Sequence, residues 1–149
     1  MKRSLMFYSG ILFLVLAAFC GFQPTVVAAQ PIETEIDIHP QTLNLKAKGK
    51  VITCIVEAPP GYAIEDIDPE SVLITDIGGV AADIAATRWA FEDDDTLMLK
   101  YPRSEVVDVI VENQLKSPVA IRINGSLANY EEGFTGVDTV KIKGKGPKK

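Results

Sequence analysis

The residues that carry most protein chemistry are scarce in this chain. Its 149 residues include one histidine, one tryptophan and two cysteines, and aromatic residues make up only 7%. With His39 as the sole histidine, no zinc-ligand spacing exists, and a nucleophile elsewhere has a single candidate base. Neither a glycine-rich phosphate loop nor a nucleophile elbow occurs. Paired carboxylates are numerous, but an acidic chain always has some, so they do not mark a glycosidase. A small exported enzyme is therefore the least favoured function class.

Cysteine and positive charge are the other shortages. Cys20 lies in an apolar N-terminal run, and once that run is removed Cys54 has no partner for a disulfide. Cys54 itself sits among Val and Ile, where a thiol behaves as a small inert hydrophobe. Without Lys2 and Arg3, 13 basic residues face 20 acidic ones, a net charge of −7. Nucleic acid requires positive surface, so it is not an expected partner.

What the N-terminus does have is a leader pattern. Lys2-Arg3 precedes Leu5–Phe22, an uncharged run rich in Leu, Phe, Ala and Val. Val27 and Ala29 suit a signal-peptidase cut before Gln30. Residues 1–29 are thus expected to be a signal peptide, 30–143 a β-sandwich domain and 144–149 a basic flexible tail. The expected location is secreted or periplasmic, with no stable membrane span after cleavage. The alternative is an uncleaved membrane anchor, since about 18 apolar residues just cross a bilayer. Bulky Phe19 directly before Cys20 argues against lipid attachment there.

The remainder reads as short strands. Val51–Val56 is nearly all apolar and mostly β-branched, which predicts a central strand covered on both faces. Glu33–Ile38, Val119–Leu127 and Val137–Lys143 alternate as half-buried strands do, and the last two form a C-terminal hairpin. Val72–Thr75 is a further strand, and Val80–Ala86 is ambiguous between strand and helix. Thr87–Glu92 and Thr96–Tyr101 make a hairpin around Asp93-Asp94-Asp95, with Trp89 expected in the core. Val106, Val107, Ile110 and Val111 recur at helical spacing, predicting one helix over Glu105–Asn113 capped by Ser104. The sum is an all-β, immunoglobulin-like sandwich of seven or eight strands with one short helix.

Several motifs, in order, carry a resemblance. Ile36-Asp37-Ile38-His39-Pro40 with Leu43-Asn44-Leu45-Lys46, Ile67-Asp68-Pro69-Glu70-Ser71-Val72, Leu97–Arg103, Gly125-Ser126-Leu127 and Phe134–Val140 stand in sequence across about residues 35–143. Together they resemble a poorly characterised extracellular β-sandwich module of large secreted bacterial and archaeal proteins, often found beside dockerin or thrombospondin-type-3-like repeats. That module commonly has lysine where His39 stands, and a Gly- and Asp-rich turn where this chain has Glu92–Asp95. The resemblance implies a sandwich fold and an extracellular setting. It implies no chemistry.

The leading functional expectation is a non-catalytic exported module, structural or binding, with a protein or glycan partner at the cell envelope. No cofactor is expected, with calcium as the exception to consider. Glu92, Asp93, Asp94 and Asp95 offer several oxygens to calcium but lack the spaced ligands and glycine of an EF-hand loop, so a solvated hairpin tip is the competing reading. Tyr62 and Tyr130 lie in turns and are the binding-surface candidates for a glycan or peptide. His39 before Pro40 reads as a surface turn, and the Lys141–Lys149 tail as solvated rather than docked on an anionic surface.

Overall fold

Short alternating segments each bury one face, and two sheets packed face to face satisfy all of them at once. The computed structural model describes residues 29–145; the proposed signal segment up to residue 28 and residues 146–149 lie outside it. In chain order come β1 (Ile32–Glu33), β2 (Ile36–His39), β3 (Thr42–Asn44), β4 (Val51–Glu57), β5 (Leu73–Ile77), β6 (Val80–Ala85), β7 (Arg88–Asp93) and β8 (Thr96–Pro102). Helix α1 (Arg103–Glu112), β9 (Val119–Ser126) and β10 (Gly133–Lys143) complete the described chain.

One sheet has the order β2-β4-β8-β7 and the other β1-β10-β9-β5-β6, with β3 also on β10. This is the immunoglobulin arrangement, with one strand added beside β5 and the helix spliced between β8 and β9. Ten strands replace the expected seven or eight because the opening of the chain breaks into three pieces and Val80–Ala85 is extended.

The expected strand Glu33–Ile38 is in fact two strands in different sheets. β1 pairs parallel with β10, while β2 pairs antiparallel with β4. β3 then returns to β10, again parallel. Asp138 ties the crossing down by accepting the Ile38 backbone N–H at 2.8 Å. Gly136 makes room for it: a Cβ there would lie 2.4 Å from a methyl of Ile36 and 3.2 Å from the Thr34 carbonyl.

β4 is central in its sheet, but it is not covered on both faces. Ile52, Cys54 and Val56 are buried, whereas Thr53 and Ile55 are half-exposed and Val51 is exposed. An antiparallel sheet of a two-layer sandwich has only one face on the core. The core fills from both sheets, with Leu97, Leu99 and Tyr101 of β8 against Ile121, Ile123 and Phe134 of the facing sheet. The Tyr101 hydroxyl donates to the Val72 carbonyl at 3.2 Å, so its burial leaves no orphan donor.

The helix begins two residues before the expected start, and Ser104 does not cap it. Pro102 is the N-cap and makes no side-chain cap bond. The ladder of β8 runs directly into the helix, because Arg103 N–H still donates to the Lys50 carbonyl at 3.0 Å. The Arg103 guanidinium is buried and donates to the carbonyls of Ala47 and Asn44, which fixes both the helix start and the loop before β4.

Gly136→Ala should destabilise the domain by about 1–3 kcal/mol, since the added methyl overpacks a tight crossing. A fall in the urea midpoint checks this, and an unchanged midpoint would mean that the crossing can shift freely.

Candidate functional site

Two large aromatic side chains stand exposed side by side on a strand edge that the alternation pattern misplaces. All six residues of β7 are exposed, including Trp89 at 43% and Phe91 at 42%. Register puts both aromatics on the core-facing side, because Trp89 lies opposite buried Leu99 and Phe91 opposite buried Leu97. The core expected for Trp89 nevertheless stops short of it. The edge strand of the facing sheet, β6, packs against β8; it turns Val80, Ala82 and Ile84 inward and Ala81, Asp83 and Ala85 outward, and it is the last strand of its sheet, so the cover ends there. The two aromatics instead contact each other edge to face, with centroids 5.7 Å apart and planes at 69°.

The direction of the β7 amides follows from its neighbours. Arg103 donates to Lys50 and Ala58 to Asp95, which turns the amides of Leu97, Leu99 and Tyr101 towards β4. Those of Met98 and Lys100 then face β7, where Arg88 and Ala90 meet them. The N–H and C=O groups of Trp89 and Phe91 therefore point away from the sheet, into solvent. Beyond Phe91 the register slips by one residue at Glu92, a bulge that leads into the acidic turn.

Glu92, Asp93, Asp94 and Asp95 are all exposed. The Thr96 hydroxyl donates to Asp93 at 3.4 Å, and the backbone carbonyl of Asp95 accepts from Ala58 at 2.9 Å. Among the described residues no group of three or more His, Cys, Asp or Glu side chains is placed to hold a metal ion. The turn thus does not converge its carboxylates on one point.

Tyr62 and Tyr130 come together from two separate loops, at 4.9 Å between centroids and 90° between planes. Both loops are linked through the bond from Ala128 N–H to the Asp66 carbonyl. Partial burial first, then Glu132, Tyr130 and Asp66, raises the Tyr62 hydroxyl above its ordinary range. Perpendicular rings do not form the flat platform on which a sugar ring stacks. The surrounding segments 58–71, 92–95 and 127–132 hold ten carboxylates and no basic residue, so this end of the domain is strongly negative. At the other end Lys141, Lys143 and Lys145 are exposed beside a half-apolar cleft of about 640 Å³ that Leu45, Ile110 and Leu115 also line.

The groups with nucleophilic chemistry are sealed or exposed rather than grouped. His39 meets Asp37 at 3.0 Å with both side chains about half exposed, and Gln41 bridges Asp37 and Asp138. Cys54 is buried far from solvent; burial, and then Asp138 and Asp37, push its thiol from 9.0 up to about 12. Burial, then Cys54, likewise raises the Tyr101 phenol well above its ordinary range.

Two outcomes follow from this geometry. An occupied calcium site would raise the thermal midpoint by about 10 °C at 100 times its Kd. The dispersed turn should instead leave the midpoint within about 2 °C between calcium and chelator, and a larger rise abolished by Asp94→Ala would establish a site. Cys54 should resist iodoacetamide at pH 8 in the native protein and react once the protein is unfolded. Its unfolded thiol ionises near 9.0 while the folded one holds its proton to about 12, so stability should decline as pH rises through that window. Rapid native alkylation at pH 8 would contradict this burial.

No protein-family model matches the chain, and neither do any of the curated proteins or solved structures compared with it.

Proposed function

We propose that this domain is a non-catalytic, exported structural module that joins protein chains at the cell envelope, with β7 as its contact strand. The observation that carries the reading is that strand: an edge, wholly exposed, with an aromatic pair on one side and unpaired backbone amides along its rim. An edge of this kind accepts an added strand, the backbone supplying hydrogen bonds and alternate side chains the specificity. Aromatic residues are also those that most often anchor protein interfaces. The tilted ring pairs favour a protein over a glycan, and the sealed thiol and phenol favour binding over catalysis.

The test is a photo-crosslinker at the strand. With p-benzoylphenylalanine replacing Trp89 in the full chain, irradiation of producing cells should give a discrete protein adduct, and the same group replacing Ala85 on β6 should not. The absence of a protein adduct at Trp89 would overturn the reading. Trp89 is also the only tryptophan, so its emission reports ligands directly. A saturable blue shift with envelope oligosaccharides would move the assignment to a glycan.

A further inference from the structure

We propose that the chain joined at β7 is a second copy of this one, its β7 lying antiparallel to the first about a two-fold axis at Ala90. The inference rests on the reading of β7 as a protein-contact strand and names what occupies it.

The pattern along the strand is self-complementary. In the order Arg88-Trp89-Ala90-Phe91-Glu92, a two-fold axis at Ala90 sets Arg88 opposite Glu92 of the second copy, Trp89 opposite its Phe91, and Ala90 opposite its Ala90. Each aromatic pair and each opposite-charge pair then occurs twice, and both are favourable across strands. Charge at the strand ends points the same way. Arg88 pairs with Lys100 at one end, while Glu92 runs into Asp93, Asp94 and Asp95 at the other. Antiparallel pairing lays each basic end against an acidic end. Parallel pairing would stack four carboxylates on four.

The backbone agrees with the side chains. Trp89 and Phe91 are the residues whose N–H and C=O groups face outwards, and in this register they form the two hydrogen-bonded pairs that flank the axis. Ala90 becomes the close, non-hydrogen-bonded pair on the axis, where a small side chain is needed. Natural sandwiches deter such pairing with lysine, proline or a bulge along the edge. β7 has no lysine and no proline, and its one bulge lies beyond Phe91, at the end of the pairing segment. A self-complementary patch of this kind closes into a two-fold dimer rather than a filament.

A cysteine on the axis reads the geometry directly. In the full chain carrying Cys20→Ser, which leaves buried Cys54 as the native thiol, Ala90→Cys places two sulfurs across a pair whose Cα atoms lie about 4.5 Å apart, within disulfide reach. Mild oxidation should convert most of the protein into a reducible dimer, while Ala85→Cys on β6 stays monomeric. Adding Arg88→Glu, or Glu92→Arg, should each lower the dimer yield about tenfold, and the two together should restore it. Equal yields from Ala90→Cys and Ala85→Cys would overturn the proposal, as would failure of the double reversal to rescue. If Ala90→Cys stays single while the photo-crosslinker at Trp89 still captures another protein, the second copy is wrong and β7 remains the contact strand. If neither reacts, both readings fall.

Discussion

The crossing of the chain between sheets at β1, β2 and β3 decides where this sandwich is closed and where it is open. A two-layer sandwich has four strand edges and cannot pair them all within itself. Here one lateral side is sewn shut. β1 and β3 lie on β10, β2 lies on β4, and the Asp138 carboxylate holds the Ile38 N–H between them. Gly136 permits the close approach on which the seam depends. The opposite side has no such seam. There β6 and β7 are both edges, joined only by Ala86 and Thr87. β6 is partly protected, because α1 packs against it and Asp83 stands exposed along it. β7 has no helix packed against it, and its exposed charges, Arg88 at one end and Glu92 and Asp93 at the other, leave Trp89, Ala90 and Phe91 open between them.

The interior explains why the Cys54 thiol and the Tyr101 phenol are out of reach. Its packing is apolar with a few polar groups, and those that are buried find backbone partners: Tyr101 at Val72, Arg103 at Asn44 and Ala47, Thr135 at Ile123. Among the described residues Thr75 is the exception, its hydroxyl buried without a hydrogen-bond partner where β5 slips register against both neighbours. A buried polar group must be paired or it costs stability, so these side chains are committed to holding backbone rather than to reacting. Arg103 shows the logic most fully. Its charge sits where β8 becomes α1, and its hydrogen bonds tie the loop before β4 to that junction.

Much of the fold was legible because alternation reports local pleat faithfully. Ile121 and Ile123 in β9 and Leu97 and Leu99 in β8 point where a period of two places them. Tyr130 stands exposed in the turn that Asn129 marks, whereas Tyr62, in the turn of Pro59-Pro60-Gly61, is partly buried against the core, and nothing local shows that the two turns meet. The misses share one cause. Thr34-Glu35 has no glycine or proline, so nothing local announced that β1 and β2 belong to different sheets. Ser104 looked like a cap because the continuing ladder bond at Arg103 is a tertiary fact. Alternation puts Trp89 on the core face because it says which face a side chain occupies, not whether the other layer extends far enough to cover it. The reason is tertiary: β6 is the last strand of the facing sheet, and its inward Val80, Ala82 and Ile84 leave the indole partly uncovered.

An exposed edge strand persists only where open-ended assembly is checked. A long, flat apolar edge invites open-ended assembly. β7 is short, it ends in a bulge, and four successive carboxylates follow Phe91. Those charges repel any parallel stacking of identical edges and tolerate only an orientation that brings Arg88 and Lys100 against them. Once two β7 strands face each other, both are used up. What remains on either molecule is the sewn side, where β1 and β2 are short, and β6, which α1 and Asp83 guard. In the proposed dimer the acidic turn sets the direction and the limit of pairing, which turns an exposed edge from an aggregation hazard into an interface of defined size.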